Sequence, residues 1–139
     1  MSAALAQRQL ALGGVALLAA VVALALGSHE DGAKARPLPQ PVPAPGGGWY
    51  TALAGARTTA YGRRTSCGVL LRPTTVGVAD SVLPCGIRLY VAYKDSPQIL
   101  TQVIAHRPVA PGRKFDLTPR LAEELGIDGV QRIRWVFAR

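Results

Sequence analysis

Apolar residues follow two different patterns along the chain. Residues 10–26, LALGGVALLAAVVALAL, are continuously apolar, carry no charge and follow Arg8. From Trp49 onward the apolar positions fall into short runs broken by Gly, Pro and Arg, with the period-two alternation of half-buried strands. Runs at 58–61, 75–79, 88–93, 99–105, 114–117 and 130–137 predict strands. In the last of these, Gln131, Ile133, Trp135 and Phe137 share one face, and Arg132 and Arg134 lie on the other. One helix is signalled, with Thr118 as N-cap, Pro119 at the first helical position, RLAEEL as its body and Gly126 as a left-handed stop. Glu123 and Glu124 read as its wet face. Many short strands and a single short helix in about ninety residues predict a mainly β fold, a small barrel.

The apolar run divides the chain further. At about 1.5 Å per helical residue it just spans a hydrocarbon core of roughly 30 Å, which favours an uncleaved signal-anchor over a signal peptide. Small residues at 23–25 (ALA) and 33–35 (AKA) leave cleavage open. In either case the remainder is expected outside the cytoplasm, membrane-anchored with the N-terminus inside or secreted to the cell wall. Lys34 and Arg36 weaken the positive-inside argument resting on Arg8. No cysteine follows the run, which excludes a bacterial-type lipid anchor there. Residues 28–48 alternate Pro with small and polar residues and end in three glycines, predicting an extended, mobile linker in which His29, Glu30 and Asp31 are solvated. The expected layout is an anchor or signal at 1–27, a linker at 28–48 and a barrel domain at 49–139.

Charge and cysteine content narrow the partners. The chain of 139 residues has a formal net charge of +8. Export removes nucleic acid as a partner and leaves anionic envelope polymers or lipid head groups, or else arginines that simply keep a surface soluble. In an oxidising compartment the two cysteines, Cys67 and Cys85, read as a disulfide contributing roughly 3 kcal/mol. A metal or redox pair would need more ligands or a shorter spacing, and no metal or cofactor is expected.

Four ordered blocks then carry a family resemblance: GWYTALAGARTTAYGRRTSCG, TTVGVADSVLPCGIRLYV, VIAHRPVAPGRKFDLT and RLAEELGIDGVQRIRWVF. Together they resemble the RlpA-like (rare lipoprotein A-like) proteins, over Trp49 to the C-terminus, and the cysteine placement looks like that of exported actinobacterial members. The resemblance implies a six-stranded double-psi β-barrel with a groove that binds a peptidoglycan glycan strand. Catalytic members are lytic transglycosylases, in which a carboxyl group protonates the glycosidic oxygen and then helps the muramic acid hydroxyl close an anhydro ring.

The chain departs from the family at the residues that matter for this chemistry. Val69 stands where catalytic members have Glu, and valine cannot transfer a proton. Asp80 stands where the family has His, and His106 where it has Asp, with a glycine absent after Arg107. This exchange suggests a reciprocal Asp80–His106 pair across the groove; the competing reading is two separate surface residues. Asp116 keeps the second acidic position, which a related barrel family resembling membrane-bound lytic transglycosylase A uses, but it also suits a structural role in its turn. Arg107, Arg113, Arg63 and Arg64 are candidate donors to glycan hydroxyls or to lactyl and peptide carboxylates. Tyr50, Tyr61 and Trp49 are candidate stacking faces or rim packing. The resulting expectation is an envelope barrel that engages peptidoglycan, binding or positioning it through Asp80, His106 and Asp116. An active transglycosylase using Asp116, and an expansin-like or protein-docking module with an envelope partner, are the alternatives.

Overall fold

A computed structural model describes residues 36–139. The apolar run at 10–26 and the first part of the expected linker therefore lie outside the described residues. Residues Pro39–Arg139 form one compact unit. Its strands are β1 (Pro41–Val42), β2 (Tyr50–Ala56), β3 (Val78–Asp80), β4 (Arg88–Ala92), β5 (Ile99–His106), β6 (Phe115–Leu117) and β7 (Val130–Ala138), with the helix α1 (Pro119–Leu125) between β6 and β7.

Strands β7, β2, β6, β3, β5 and β4 are hydrogen-bonded in that order, and β4 pairs back onto β7, closing a barrel of six strands. Closure leaves no free sheet edge among these strands. Two neighbouring pairs are parallel, β2 with β6 and β3 with β5, and β3 runs antiparallel to β6 between them. The core is filled by Leu89, Val91, Val103, Phe115, Leu117 and Ile133, with α1 contributing Leu121, Ala122 and Leu125 at one end. Thr118 has a double role: its hydroxyl accepts from Leu121 N as the helix N-cap and from Gly77 N just before β3. Gly126 ends the helix at φ 70°.

The first strand differs from expectation. The run at 58–61 is irregular chain that enters a turn at Tyr61, and the strand is the Ala- and Gly-containing YTALAGA, Tyr50–Ala56. Pairing and close packing outweigh intrinsic propensity here. β2 matches β7 residue for residue from Tyr50↔Trp135 to Gly55↔Val130. A Cβ on Gly55 would lie 2.9 Å from the Gly129 carbonyl and 3.0 Å from the Arg113 guanidinium. The predicted strand at 75–79 is likewise shorter and later, because the Thr75 hydroxyl accepts from Arg72 N in a turn.

Part of the expected linker belongs to the barrel. Pro41 and Val42 pair with Ala138 and Phe137, Arg139 N donates to Gln40 O at 2.8 Å, and the hydroxyl of Tyr90 donates to Pro39 O at 2.6 Å. Tyr90 is 4% exposed, and a buried phenol needs an acceptor. That need ties the strap down where composition alone predicts mobile chain.

Gly77 sets a tight contact behind β3. A Cβ there would sit 2.6–2.7 Å from three atoms of Ile104, itself 2% exposed. Gly77→Ala is expected to destabilise the domain by about 1–3 kcal/mol through overpacking. In a chemical-denaturation double-mutant cycle, Ile104→Ala should recover part of that loss; strictly additive effects would show that the contact is not the cause.

Candidate functional site

Where β2, β5 and β6 end, the loop of residues 57–77 folds over the barrel and encloses a groove of about 310 Å³. Arg57 and Thr59 line one side of it, and Arg63, Arg64 and Ser66 of the loop another. Arg107 follows β5, Asp116 comes from β6, and Ile104 and Leu117 add apolar wall. The loop is fixed at three points. Arg64 pairs with Leu70 across it, Ser66 accepts from His106 N at 2.8 Å and donates to His106 O, and Cys67 is disulfide-bonded to Cys85.

Asp116 is the polar centre of the groove, with its side chain 1% exposed. Its Oδ2 accepts from Arg107 Nη1 at 3.0 Å and Arg57 Nη1 at 3.2 Å; Oδ1 accepts from Arg113 Nη1 and from Ala110 N, both at 3.4 Å. Gly55 leaves the space in which the Arg113 guanidinium lies against β2, where it also donates to Ala56 O. Both carboxylate oxygens are thus acceptors for N–H groups, and one of these is the backbone of the β5–β6 loop. The steadying role available to Asp116 in the sequence is realised, through Ala110 and not through the helix start.

Asp80 and His106 do not form the reciprocal side-chain pair. They are partners in backbone register, with Arg107 N donating to Asp80 O. The Asp80 carboxylate turns inward instead, fully buried, where Oδ1 accepts from Val82 N at 2.7 Å and Leu83 N at 2.6 Å and Oδ2 meets Lys114 Nζ at 2.7 Å. The exposed His106 ring places Nδ1 3.1 Å from Leu83 O. The two side chains are linked only through the Leu83 peptide, and neither residue lines the groove. The physical reason is burial: a carboxylate out of water takes a cation and turn N–H groups within reach before a solvated imidazole.

The remaining candidates separate. Arg107, Arg63 and Arg64 line the groove, and Arg113 stands behind Asp116. Tyr61, 48% exposed, is beside the groove in the same loop but does not line it. Tyr50 is packing, its ring stacked on Trp135 at 4.6 Å and set edge-on to Phe137. Trp49 lies under the Arg134 guanidinium. Arg57, Thr59 and Lys114 were not singled out from the sequence. Placing β2 at 50–56 would have revealed Arg57, because the parallel register Ala56↔Leu117 sets it beside Asp116.

The fold and groove define a class: a small, closed, disulfide-linked β-barrel with an arginine-lined cavity. A scan against protein-family models and a search of curated proteins find no match. Among solved structures the chain is similar to Streptomyces papain inhibitor (SPI), at 24% identity and a TM-score of 0.52, over 67% of this chain and 96% of that one. That likeness is one of fold.

Two outcomes follow for stability. Burial pushes the Asp80 carboxyl upward, but Lys114 and the N–H groups of Leu83 and Val82 outweigh it and hold the group below its ordinary value. The charge therefore favours the folded state above about pH 4, the unfolded value, and that stabilisation is lost as pH falls through the lower folded value. Asp80→Asn should cost about 1–3 kcal/mol near neutral pH, with the deficit closing below about pH 4 in urea titrations; a deficit independent of pH would contradict this. Reducing Cys67–Cys85 should cost roughly 3 kcal/mol in the same assay, and an unchanged midpoint would mean that the loop is held by Ser66 and Arg64 alone.

Proposed function

We propose that this is an exported RlpA-like double-psi barrel that binds or positions peptidoglycan glycan strands and does not cleave them. The parallel pairs β2–β6 and β3–β5, bridged by β3–β6, support the double-psi arrangement. The observation that carries the binding reading is the state of Asp116. It is the one carboxylate lining the groove among the described residues, and each of its oxygens already faces N–H donors. A general acid needs a proton on one of those oxygens, directed at the glycosidic oxygen, and no second carboxylate is at hand to take over the role. Val69, at the position of the family's glutamate, supplies none. Arginines, the hydroxyl-bearing Thr59, Thr65, Ser66 and Thr118, and an apolar wall instead suit recognition of a sugar and its substituents.

The proposed setting is extracytoplasmic, with the N-terminal apolar run as anchor or export signal. The enzymatic alternative would require Asp116 to leave its arginines and protonate substrate. A docking role is favoured by a different observation: Val82 is 71% exposed on a turn held by Asp80 and the disulfide, and one barrel of similar fold is named a papain inhibitor.

Incubating the unit Pro39–Arg139 with purified peptidoglycan tests all three. Binding predicts co-sedimentation without anhydro-muramic products by mass spectrometry. Products that disappear in Asp116→Asn would establish the enzyme instead, and a domain that neither sediments nor cleaves but inhibits papain would establish docking.

A further inference from the structure

The barrel wall formed by β2 and β7 turns a cationic and apolar surface to solvent. Along β2 the outward positions are Trp49, just before the strand, Thr51 and Leu53; along β7 they are Val130, Arg132 and Arg134. Strand register sets Thr51 opposite Arg134 and Leu53 opposite Arg132. The Arg134 guanidinium lies over the Trp49 ring, 5.7 Å from its centroid, and donates to Lys94 O at 3.1 Å, which brings Lys94 to the same end of the wall. Leu53 is 39% and Val130 46% exposed. Arg132, Arg134 and Lys94 form no ion pair among the described residues, although Asp95 and Asp128 stand in the loops at the two ends. None of these residues lines the groove.

Two observations narrow the partner. Cations alone would suit any polyanion, but here they are interleaved with an indole and two aliphatic side chains, the composition of surfaces that sit in the head-group layer of a bilayer. An exposed apolar group gains there by leaving water, and gains nothing on a fully hydrated polymer. The chain also enters this wall directly. The strap at Pro41–Val42 pairs with β7 itself, and only residues 27–35 separate Leu26, the end of the apolar run, from Arg36. Fully extended, that segment spans at most about 35 Å. We infer that this wall docks on an anionic lipid surface. Arg132, Arg134 and Lys94 meet head-group phosphates, and Trp49, Leu53 and Val130 enter the interfacial layer. The inference is independent of what the groove holds and takes from the proposed setting only the apolar run as an anchor.

Mixing the full chain with vesicles of phosphatidylcholine, alone or with phosphatidylglycerol added, and reading acrylamide quenching of tryptophan after flotation tests this. Trp135, 8% exposed and stacked on Tyr50, is shielded in either case, so the signal reports Trp49. Quenching should fall on the phosphatidylglycerol vesicles alone, and the difference should shrink as salt rises. Arg132→Gln removes no internal hydrogen bond or ion pair, so it should fold normally and lose part of the difference; adding Arg134→Gln should abolish it. Equal quenching on the two vesicles overturns the inference and leaves the anchor standing. A lipid difference that the double variant keeps overturns it too, because another surface then makes the contact. Soluble polyphosphate that shields Trp49 as fully as the vesicles overturns it in favour of a general polyanion site. A chain that floats with neither vesicle overturns it together with the anchor.

Discussion

A carboxylate taken out of water must be met by donors, and at Asp116 this requirement joins three separate parts of the chain. Arg57 arrives from the end of β2, Arg107 from the end of β5, and Arg113 with Ala110 from the loop before β6. The parallel pairing of β2 with β6 brings Arg57 alongside, and Gly55 leaves the gap that Arg113 fills. Removing any one donor leaves others, whereas removing the acid leaves several cations crowded together. The acid is thus the element on which the groove's geometry depends, with both of its oxygens engaged by N–H donors.

Asp80 does comparable work on the other side of β3. Its carboxylate sets the turn that carries Val82, Leu83 and Cys85, and through Lys114 it ties that turn to the start of β6. The disulfide and the Ser66–His106 backbone contacts then dock the groove loop onto this frame. His106 belongs to the frame through its backbone, while its ring points to the Leu83 carbonyl. In place of the side-chain contact with His106 expected from the sequence, Asp80 forms a buried ion pair with Lys114 beneath the turn.

Much of the fold was legible in the sequence, for identifiable reasons. The helix carries its own start and stop signals in Thr118, Pro119 and Gly126, and β7 alternates visibly from Ile133 to Phe137. What was hidden depends on distant partners. YTALAGA has poor strand composition and is fixed by β7, and the Pro-rich strap at Pro41–Val42 is ordered by Tyr90 and the β7 terminus. The site shares this limit: Asp116, Arg107 and Arg64 were identified as types at motif positions, but Arg57 and Lys114 gain meaning only once strand register is known. The Asp80–His106 pair failed because adjacency in register does not determine where side chains turn.

A groove that holds a sugar differs from one that reacts with it in what Asp116 does when ligand is present. A crystal structure of the domain soaked with a peptidoglycan tetrasaccharide measures this directly. The account predicts an intact saccharide in the groove beside Arg57, Arg63 and Arg107, with the Asp116 carboxylate still on its arginines. A cleaved saccharide, or Asp116 turned from its arginines to within hydrogen-bonding distance of a glycosidic oxygen, would contradict it.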